Sequence, residues 1–247
     1  MIKQSVLLLL LLFCSRITAQ VITQPDSSIS LDKAMERQQE YAPSWLISGT
    51  AGFGYRLAKL PDNLNSFEQE YYRKLKSGYY YQFNAAYYFK KGQASGIGII
   101  YNTMHTDNEI KGVTVTGPAP FNGTGSVSDD ITISYTGLQW HYRYWNYSHN
   151  GFLNGYLGLG YMSYKDKAVL IKPYTLKGNA LGLNAGAAYY IQLSPEFWLG
   201  AYGGYLAGTI TEFELDDGNT KKTIKLEDSE GEGLHHIDIG VTIAVTF

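Results

Sequence analysis

The chain has 247 residues, carries 22 Tyr and 27 Gly, is only 17% charged, and has a formal net charge of −2. That length allows one or two domains. Near-neutral charge with no dense Lys/Arg run excludes nucleic-acid binding as an organising function.

The first residues form an export signal, with Lys3, an apolar run from Val6 to Phe13, and a small-residue site that predicts cleavage after about Ala19. The run is too short for a spanning helix. Cys14 follows the bulky Phe13, whereas a lipoprotein signal wants a small residue there. Removal of residues 1–19 leaves a mature chain without cysteine, which suits an envelope protein that uses no disulfides. Residues 20–43 are polar, with a weakly helical stretch at 31–40, and read as a periplasmic leader.

From residue 44 onward, long strands of period two follow one another. In the first, 44–57, Trp45, Ile47, Ala51, Phe53 and Tyr55 share one face, and Ser48, Thr50, Gly52, Gly54 and Arg56 the other. The second, 77–90, sets Tyr79, Tyr81, Phe83, Ala85, Tyr87 and Phe89 against Gln82, Asn84, Ala86 and Tyr88. The third, 95–105, alternates Ile97, Ile99 and Tyr101 with Gly98, Ile100 and Asn102. The fourth, 130–145, starts with Ile131, Ile133 and Tyr135 outward and then changes phase to Leu138, Trp140, Tyr142 and Tyr144, which predicts a β-bulge beside Gly137. The fifth to seventh, 151–164, 178–192 and 197–209, continue the pattern, with Asn154, Tyr156, Asn184 and Tyr202 among their inward residues.

The last strand, 234–247, is the clearest. Ile237, Ile239, Val241, Ile243, Val245 and Phe247 fall on one face, and His236, Asp238, Gly240, Thr242, Ala244 and Thr246 on the other. About nine to eleven residues cross a bilayer as a strand, so this segment is long enough. Short connections (91–94, 146–150, 193–196) alternate with long hydrophilic ones (58–76, 106–129, 165–177, 210–233), the pattern of an outer-membrane barrel with short periplasmic turns. Within the long connections, 112–128 looks mobile, and 211–215 with 220–226 reads as a hairpin around Asp216-Asp-Gly-Asn219. Trp45, Tyr87, Phe89, Trp140, Tyr142, Tyr144, Phe152, Tyr189, Phe197 and Phe247 lie near the short-turn ends, and Tyr55, Tyr79, Tyr81, Tyr161 and Tyr205 near the long-loop ends. Two aromatic belts match the two membrane interfaces. The fold class is therefore all-β: an eight-stranded antiparallel transmembrane β-barrel of the outer membrane, spanning 44–247.

The exported precursor, the eight strands and the aromatic-terminated Ile243-Ala-Val-Thr-Phe247 resemble the outer membrane β-barrel domain family, which shares its architecture with OmpX-like barrels and the membrane half of OmpA. The Gly- and Tyr-rich strands and the Thr18-Ala-Gln20 signal end are similar to its porin-family and PorT-like members. The resemblance implies recognition of the last strand by the barrel-assembly machinery, with outer-membrane lipid and lipopolysaccharide as surroundings, and implies little about activity.

Eight strands enclose a space that side chains fill, so a general diffusion pore is not expected. An inward Asp238 needs a partner, because an unpaired buried charge is costly; Arg56 on the neighbouring first strand is the candidate, with His236 one step along. These three residues form the expected lumen network, and its role is structural. No catalytic, cofactor-binding or metal site is predicted. His105 and His235 sit near outer rims without a His-x-Ser pattern, His149 follows Ser148 only in a tight turn, and the adjacent His235 and His236 point to opposite faces. The leading reading is a non-enzymatic structural or interaction barrel whose four outer loops contact a partner, ligand or surface, a protein partner being one such. An accessory subunit of an envelope secretion or transport complex and an outer-membrane lipid-modifying enzyme remain as alternatives.

Overall fold

Antiparallel pairing joins each strand of the barrel to the next in sequence, and the last to the first, so the sheet closes on itself. A computed structural model describes residues 43–58, 64–89, 94–115, 123–226 and 231–247. The export signal, most of the proposed leader and its 31–40 stretch lie outside them. The elements are β1 (Trp45–Arg56), α1 (Ser66–Lys74), β2 (Ser77–Tyr88), β3 (Ser95–Val115), β4 (Gly123–Trp145), β5 (Gly151–Leu170), β6 (Lys172–Gln192), β7 (Phe197–Ile210), β8 (Glu212–Asp216), β9 (Lys221–Lys225), β10 (Glu232–Gly233) and β11 (His236–Thr246). Eight of them, β1 to β7 and β11, form the wall, and β8, β9 and β10 extend the same sheet.

Closure runs through β11. Its register on β1 passes from Leu46↔Thr246 to Arg56↔His236 without a slip, and its other edge pairs with β7 from His236↔Leu206 to Val245↔Phe197. At the end of the chain, Trp45 N–H donates to the Phe247 carbonyl at 2.8 Å, and Phe247 N–H to the Trp45 carbonyl at 3.2 Å. No edge is left on the wall, as a hydrocarbon environment requires.

The alternation found in the sequence is the alternation of exposure. Ile237, Ile239, Val241, Ile243, Leu138, Trp140, Leu157, Leu159 and Phe83 face outward and exposed, while Thr50, Asn84, Asn102, Asn154, Thr242 and Asp238 are buried inside. An exposed face this apolar on every strand is a lipid-facing surface.

Strand four departs from expectation. It has no phase change at Gly137: its register against both β3 and β5 is continuous there. Ile131, Ile133 and Tyr135 therefore point inward and are buried, packing with Ile100, Met104, Met162 and Leu206. An apolar layer crosses the outer half of the lumen here, so hydrophobicity alone does not tell lumen from lipid at these positions. Tyr135 lies across three glycines: a Cβ at Gly137, Gly158 or Gly160 would meet its ring or hydroxyl within 3.4 Å. The one register shift in this ladder lies between Ile110 and Val113, far out on the hairpin.

The wall is uneven. β3, β4, β5 and β6 have 21, 23, 20 and 21 residues, against 12, 12, 14 and 11 in β1, β2, β7 and β11. At about 3.3 Å per residue the tall strands extend well beyond the hydrocarbon core. Segments expected as loops are thus largely continuous hairpins: β3 and β4 pair out to Val115↔Gly123, and β5 and β6 to Leu170↔Lys172 around Ile171. Within 112–128, read from the sequence as mobile, only 116–122 lies outside the described residues. The β8–β9 hairpin forms as expected, with Asp217 Oδ1 accepting from the Asn219 and Thr220 backbone N–H groups, and it docks onto β6.

Helix α1 fills the low side of the rim. Asn65 caps it by accepting from the Phe67 and Glu68 N–H groups at 3.0 and 2.9 Å, while Glu68 accepts from Asn65 N–H at 2.9 Å. Tyr71 and Leu75, four residues apart, share its buried side.

Replacing Val241, exposed on the lipid face of β11, with Arg should cost about 2–4 kcal/mol at mid-bilayer depth. The expected result is loss of assembled, heat-modifiable barrel, read by gel mobility after folding into lipid vesicles.

Candidate functional site

The lumen is built in layers. At the periplasmic end Trp145, Phe152, Tyr190 and Trp198 pack ring against ring, with centroids 4.8–5.5 Å apart. The Arg143 guanidinium stacks 3.9 Å from the Tyr88 ring centre and donates to the Pro43 carbonyl at 2.7 Å. Above this floor a chain of amides runs across the barrel. Asn84 donates to Gln139 at 2.5 Å and Gln139 to Asn184 at 2.8 Å, while His141 lies 3.1 Å from Gln139 and Tyr88 donates to Asn154 at 2.8 Å. Tyr156 and Tyr202 hydrogen-bond each other through their hydroxyls, and Tyr156 also donates to Gln82 at 3.3 Å.

Asp238, 0% exposed, accepts from Asn102 Nδ2 at 3.1 Å and lies 3.5 Å from His236 Nε2. His236 Nδ1 is 3.0 Å from the Leu234 carbonyl, which only accepts, so that nitrogen carries hydrogen. Arg56 does not join this pair. It stands opposite His236, two positions farther out than Gly54, the residue opposite Asp238, and its Nη2 donates to Glu232 Oε1 at 3.1 Å. The structure thus brings His236 to Asp238 and sends Arg56 outward. Glu232 was invisible as a partner because it sits in a predicted loop and is carried to the rim by the two-residue strand β10 pairing on β7. Gly54 leaves the room Asp238 occupies: a Cβ there would lie 2.9 Å from Asp238 Oδ1 and 2.9 Å from Met104 Sδ.

Outside the apolar layer the barrel opens into a vestibule of about 750 Å³, bounded by α1 and the tall hairpins, with Arg56 and Glu232 among its lining residues. Two carboxylates face it from β4 and β5. Asp129 accepts from the Tyr71 hydroxyl of α1 at 2.5 Å, and Asn108 Nδ2 donates to the Tyr71 carbonyl at 3.2 Å, pinning the helix to the β3–β4 hairpin. Asp166, 3% exposed, accepts from the Asp130 N–H at 3.2 Å and from the Tyr164 hydroxyl at 3.4 Å. This part of β5 lies beyond the lipid-facing Leu157, Leu159 and Tyr161. Burial, then the charge of Asp129 and a hydrogen bond shared with it, push the Asp166 carboxyl up to about 7. Burial and the Asp129 contact also raise the Tyr71 phenol, which stays a neutral donor.

On the outward side of the same rim, His105 lies 3.3 Å from Thr132 Oγ1 and 3.4 Å from Asp130 Oδ1, both at Nδ1. Asp107, 3.7 Å from Nε2 and mostly exposed, is too far to orient the ring by a hydrogen bond. Nucleophile and acid address the same nitrogen, so no base–orienter relay is formed. His149 is in the periplasmic turn, and His235 meets the Tyr205 hydroxyl at 2.8 Å.

No protein-family model and no curated protein matches this chain. Solved structures do. A major outer membrane protein from Thermus thermophilus superimposes with a TM-score of 0.55 at 15% identity, covering 83% of this chain and 100% of that one. OprG from Pseudomonas aeruginosa superimposes with a TM-score of 0.53 at 12% identity, covering 85% and 99%. The fold is that of the outer-membrane β-barrels. At these identities the likeness extends to the architecture of this outer-membrane barrel and not to its ligands.

Two measurements check the geometry. In unfolding from lipid vesicles, Asp238→Ala and Asn102→Ala should be non-additive, with a coupling of roughly 0.5–3 kcal/mol, whereas Asp238→Ala and Arg56→Ala should add. The second concerns pH. Asp166 faces Asp129, the phenols of Tyr71, Tyr164 and Tyr174, and, across Tyr164, Arg56 and Glu232. Its carboxyl binds a proton more tightly folded (about 7) than unfolded (3.8), so the cap is most stable at low pH and loses stability as pH rises through that window, levelling off above it. Backbone amides of α1, corrected for intrinsic exchange, should be better protected from hydrogen exchange at pH 5.5 than at pH 8, and Asp166→Asn should remove the difference.

Proposed function

We propose that this protein is a non-enzymatic interaction barrel of the outer membrane, exported with cleavage after about Ala19, whose working surface is its extracellular end. The observation that carries the reading is the contrast between the two parts of the interior. The membrane-embedded lumen is filled by buried side chains, amides and phenols below and an apolar layer above, whereas the outer end carries a large vestibule walled by strands that extend far beyond what crossing requires. Eight strands leave no spare bore once such side chains are in place. Binding residues concentrate on protruding segments held by a rigid scaffold, and here those segments are hairpins continuous with the wall. The apolar outer face favours contact with lipid and lipopolysaccharide, and the aromatic-terminated β11 favours delivery by the barrel-assembly machinery. No nucleic acid or cofactor is required by this reading.

The test is to delete the β8–β9 hairpin, residues 212–225, replacing it with a tight turn, and to shorten the β3–β4 hairpin beyond Asp107 and Asp130 in a second variant. Both should remain heat-modifiable barrels in the outer membrane. At least one should lose the proteins cross-linked to the wild type in native membrane, and the wild type should pass no large steady current in planar bilayers. Unchanged cross-linking in both variants would sink the outer-end reading. Recovery of the wild type in a stable larger complex would favour an accessory subunit over a free-standing barrel.

A further inference from the structure

We propose that the outer vestibule binds small organic amines that carry an oxygen acceptor beside the ammonium group and an apolar body. This rests on the reading of the extracellular end as the working surface, and it names the chemistry of the ligand there.

The first observation is a pair of acids with no cation paired to it. Asp129 and Asp166 lie together at the vestibule wall, and among the described residues neither is in an ion pair. Of the cations around the pair, His105 and Lys167 approach Asp130 on the outward face of β4, at 3.4 and 3.9 Å, Arg56 is paired with Glu232, and Lys76 lines the cavity without an ion pair to either acid. A desolvated carboxylate pair is costly; the proton held in the Asp129–Asp166 hydrogen bond relieves it in the free protein, and a bound cation can take that proton's place. What surrounds it is phenol. Tyr71 and Tyr164 donate to the two carboxylates, and Tyr72 and Tyr174 lie close enough to feel the charge of Asp129. Carboxylates among aromatic rings suit an organic ammonium, which gains from both.

The second observation is independent of the acids. Arg56 lines the same cavity, is 7% exposed, and has a buried Nε–H with no partner, since only its Nη2 is taken up by Glu232. A guanidinium cannot shed its proton, so that donor is open to an acceptor on a bound molecule in place of water. Tyr164 lies between the two features: its hydroxyl meets Asp166, and it feels the charges of Arg56 and Glu232. One molecule that carries an ammonium and an acceptor close together would address both features.

The remaining wall is apolar, including Ile110, Val113, Val127, Leu170, Leu176 and Phe213. A volume of about 750 Å³ falls within the usual range for small-molecule sites. A divalent metal fits less well. Among the described residues no group of three or more His, Cys, Asp or Glu converges, and calcium takes six to eight oxygen ligands.

The experiment uses the full chain folded in nanodiscs, with calorimetry or ligand-observed NMR at neutral pH. Three probes share one phenyl body: phenylalaninol, its N-acetyl derivative, which lacks the ammonium, and phenethylamine, which lacks the acceptor. Phenylalaninol should bind saturably, phenethylamine several-fold more weakly, and the N-acetyl compound at least tenfold more weakly. Asp129→Asn and Asp166→Asn should each weaken phenylalaninol at least tenfold. Val113→Trp, which fills the cavity from a hairpin outside the membrane, should abolish binding in a barrel that remains heat-modifiable, and it decides the matter if the Asp variants fail to fold. Absence of saturable binding, equal binding of the N-acetyl compound, or wild-type affinity in Val113→Trp would overturn the proposal, and equal affinity of phenethylamine would overturn the part given to Arg56. If amine binding fails while hairpin deletion still abolishes partner cross-linking, the vestibule chemistry is wrong and the interaction reading stands.

Discussion

Everything in this structure depends on the closure of β11 against β1. In hydrocarbon an unpaired backbone N–H or C=O costs several kcal/mol, so a sheet survives there only as a ring. The unbroken register from Leu46↔Thr246 to Arg56↔His236 removes the edge, and the exchange between Trp45 and Phe247 seals it at the periplasmic end. With the backbone satisfied within the wall, side chains are free to divide by environment. Apolar ones meet lipid, and polar ones must satisfy one another inside.

That second requirement shapes the lumen. Asn84, Gln139, Asn184, Asn154 and His141 form a relay in which most groups donate and accept, and Asp238 finds Asn102 and His236. Buried polar groups of this kind confer rigidity only when their partners are present. Where the network stops, an apolar layer containing Ile133, Tyr135 and Met162 takes over, and the glycines beneath Tyr135 make room for its ring. A filled interior leaves the embedded part without an open bore.

The outer end is asymmetric for a mechanical reason. β3 to β6 rise far beyond the bilayer while β1, β2, β7 and β11 stop near it, so the rim would be a half-cup open on one side. Helix α1 occupies that side, held by Tyr71 between Asp129 and Asn108, and β10 brings Glu232 to Arg56. The vestibule exists because short elements from two connections close against tall strands from two others. Polar groups from β1, α1, β4, β5, β6 and β10 line it.

The eight wall strands, the facing of most of their residues and the side on which the long connections lie were legible in the residues, because period two is enforced twice, by lipid outside and by side-chain packing inside. Phe152, read as part of the interfacial belt, turns into the lumen floor instead. Ile237 to Phe247 needed no neighbour to reveal its face, and the β8–β9 hairpin was legible from its Asp-Asp-Gly-Asn turn. Helix α1 was also written locally, in the Asn65–Glu68 capping box and the Tyr71–Leu75 spacing, but a short helix in a polar connection is easily passed over. The face of Ile131, Ile133 and Tyr135 was not legible, since apolar residues suit lipid and an apolar lumen layer equally, and only continuous register against β3 and β5 decides between them. The partner of Arg56 was equally beyond reach, because Glu232 approaches through a two-residue strand whose pairing carries no pattern of its own. The sequence by itself determined a closed membrane barrel with a polar lumen, through constraints that act residue by residue along each strand. Only the tertiary structure decided the vestibule and its Asp129–Asp166 pair, because distance between side chains on different strands is set by register, and register is a property of the whole ring.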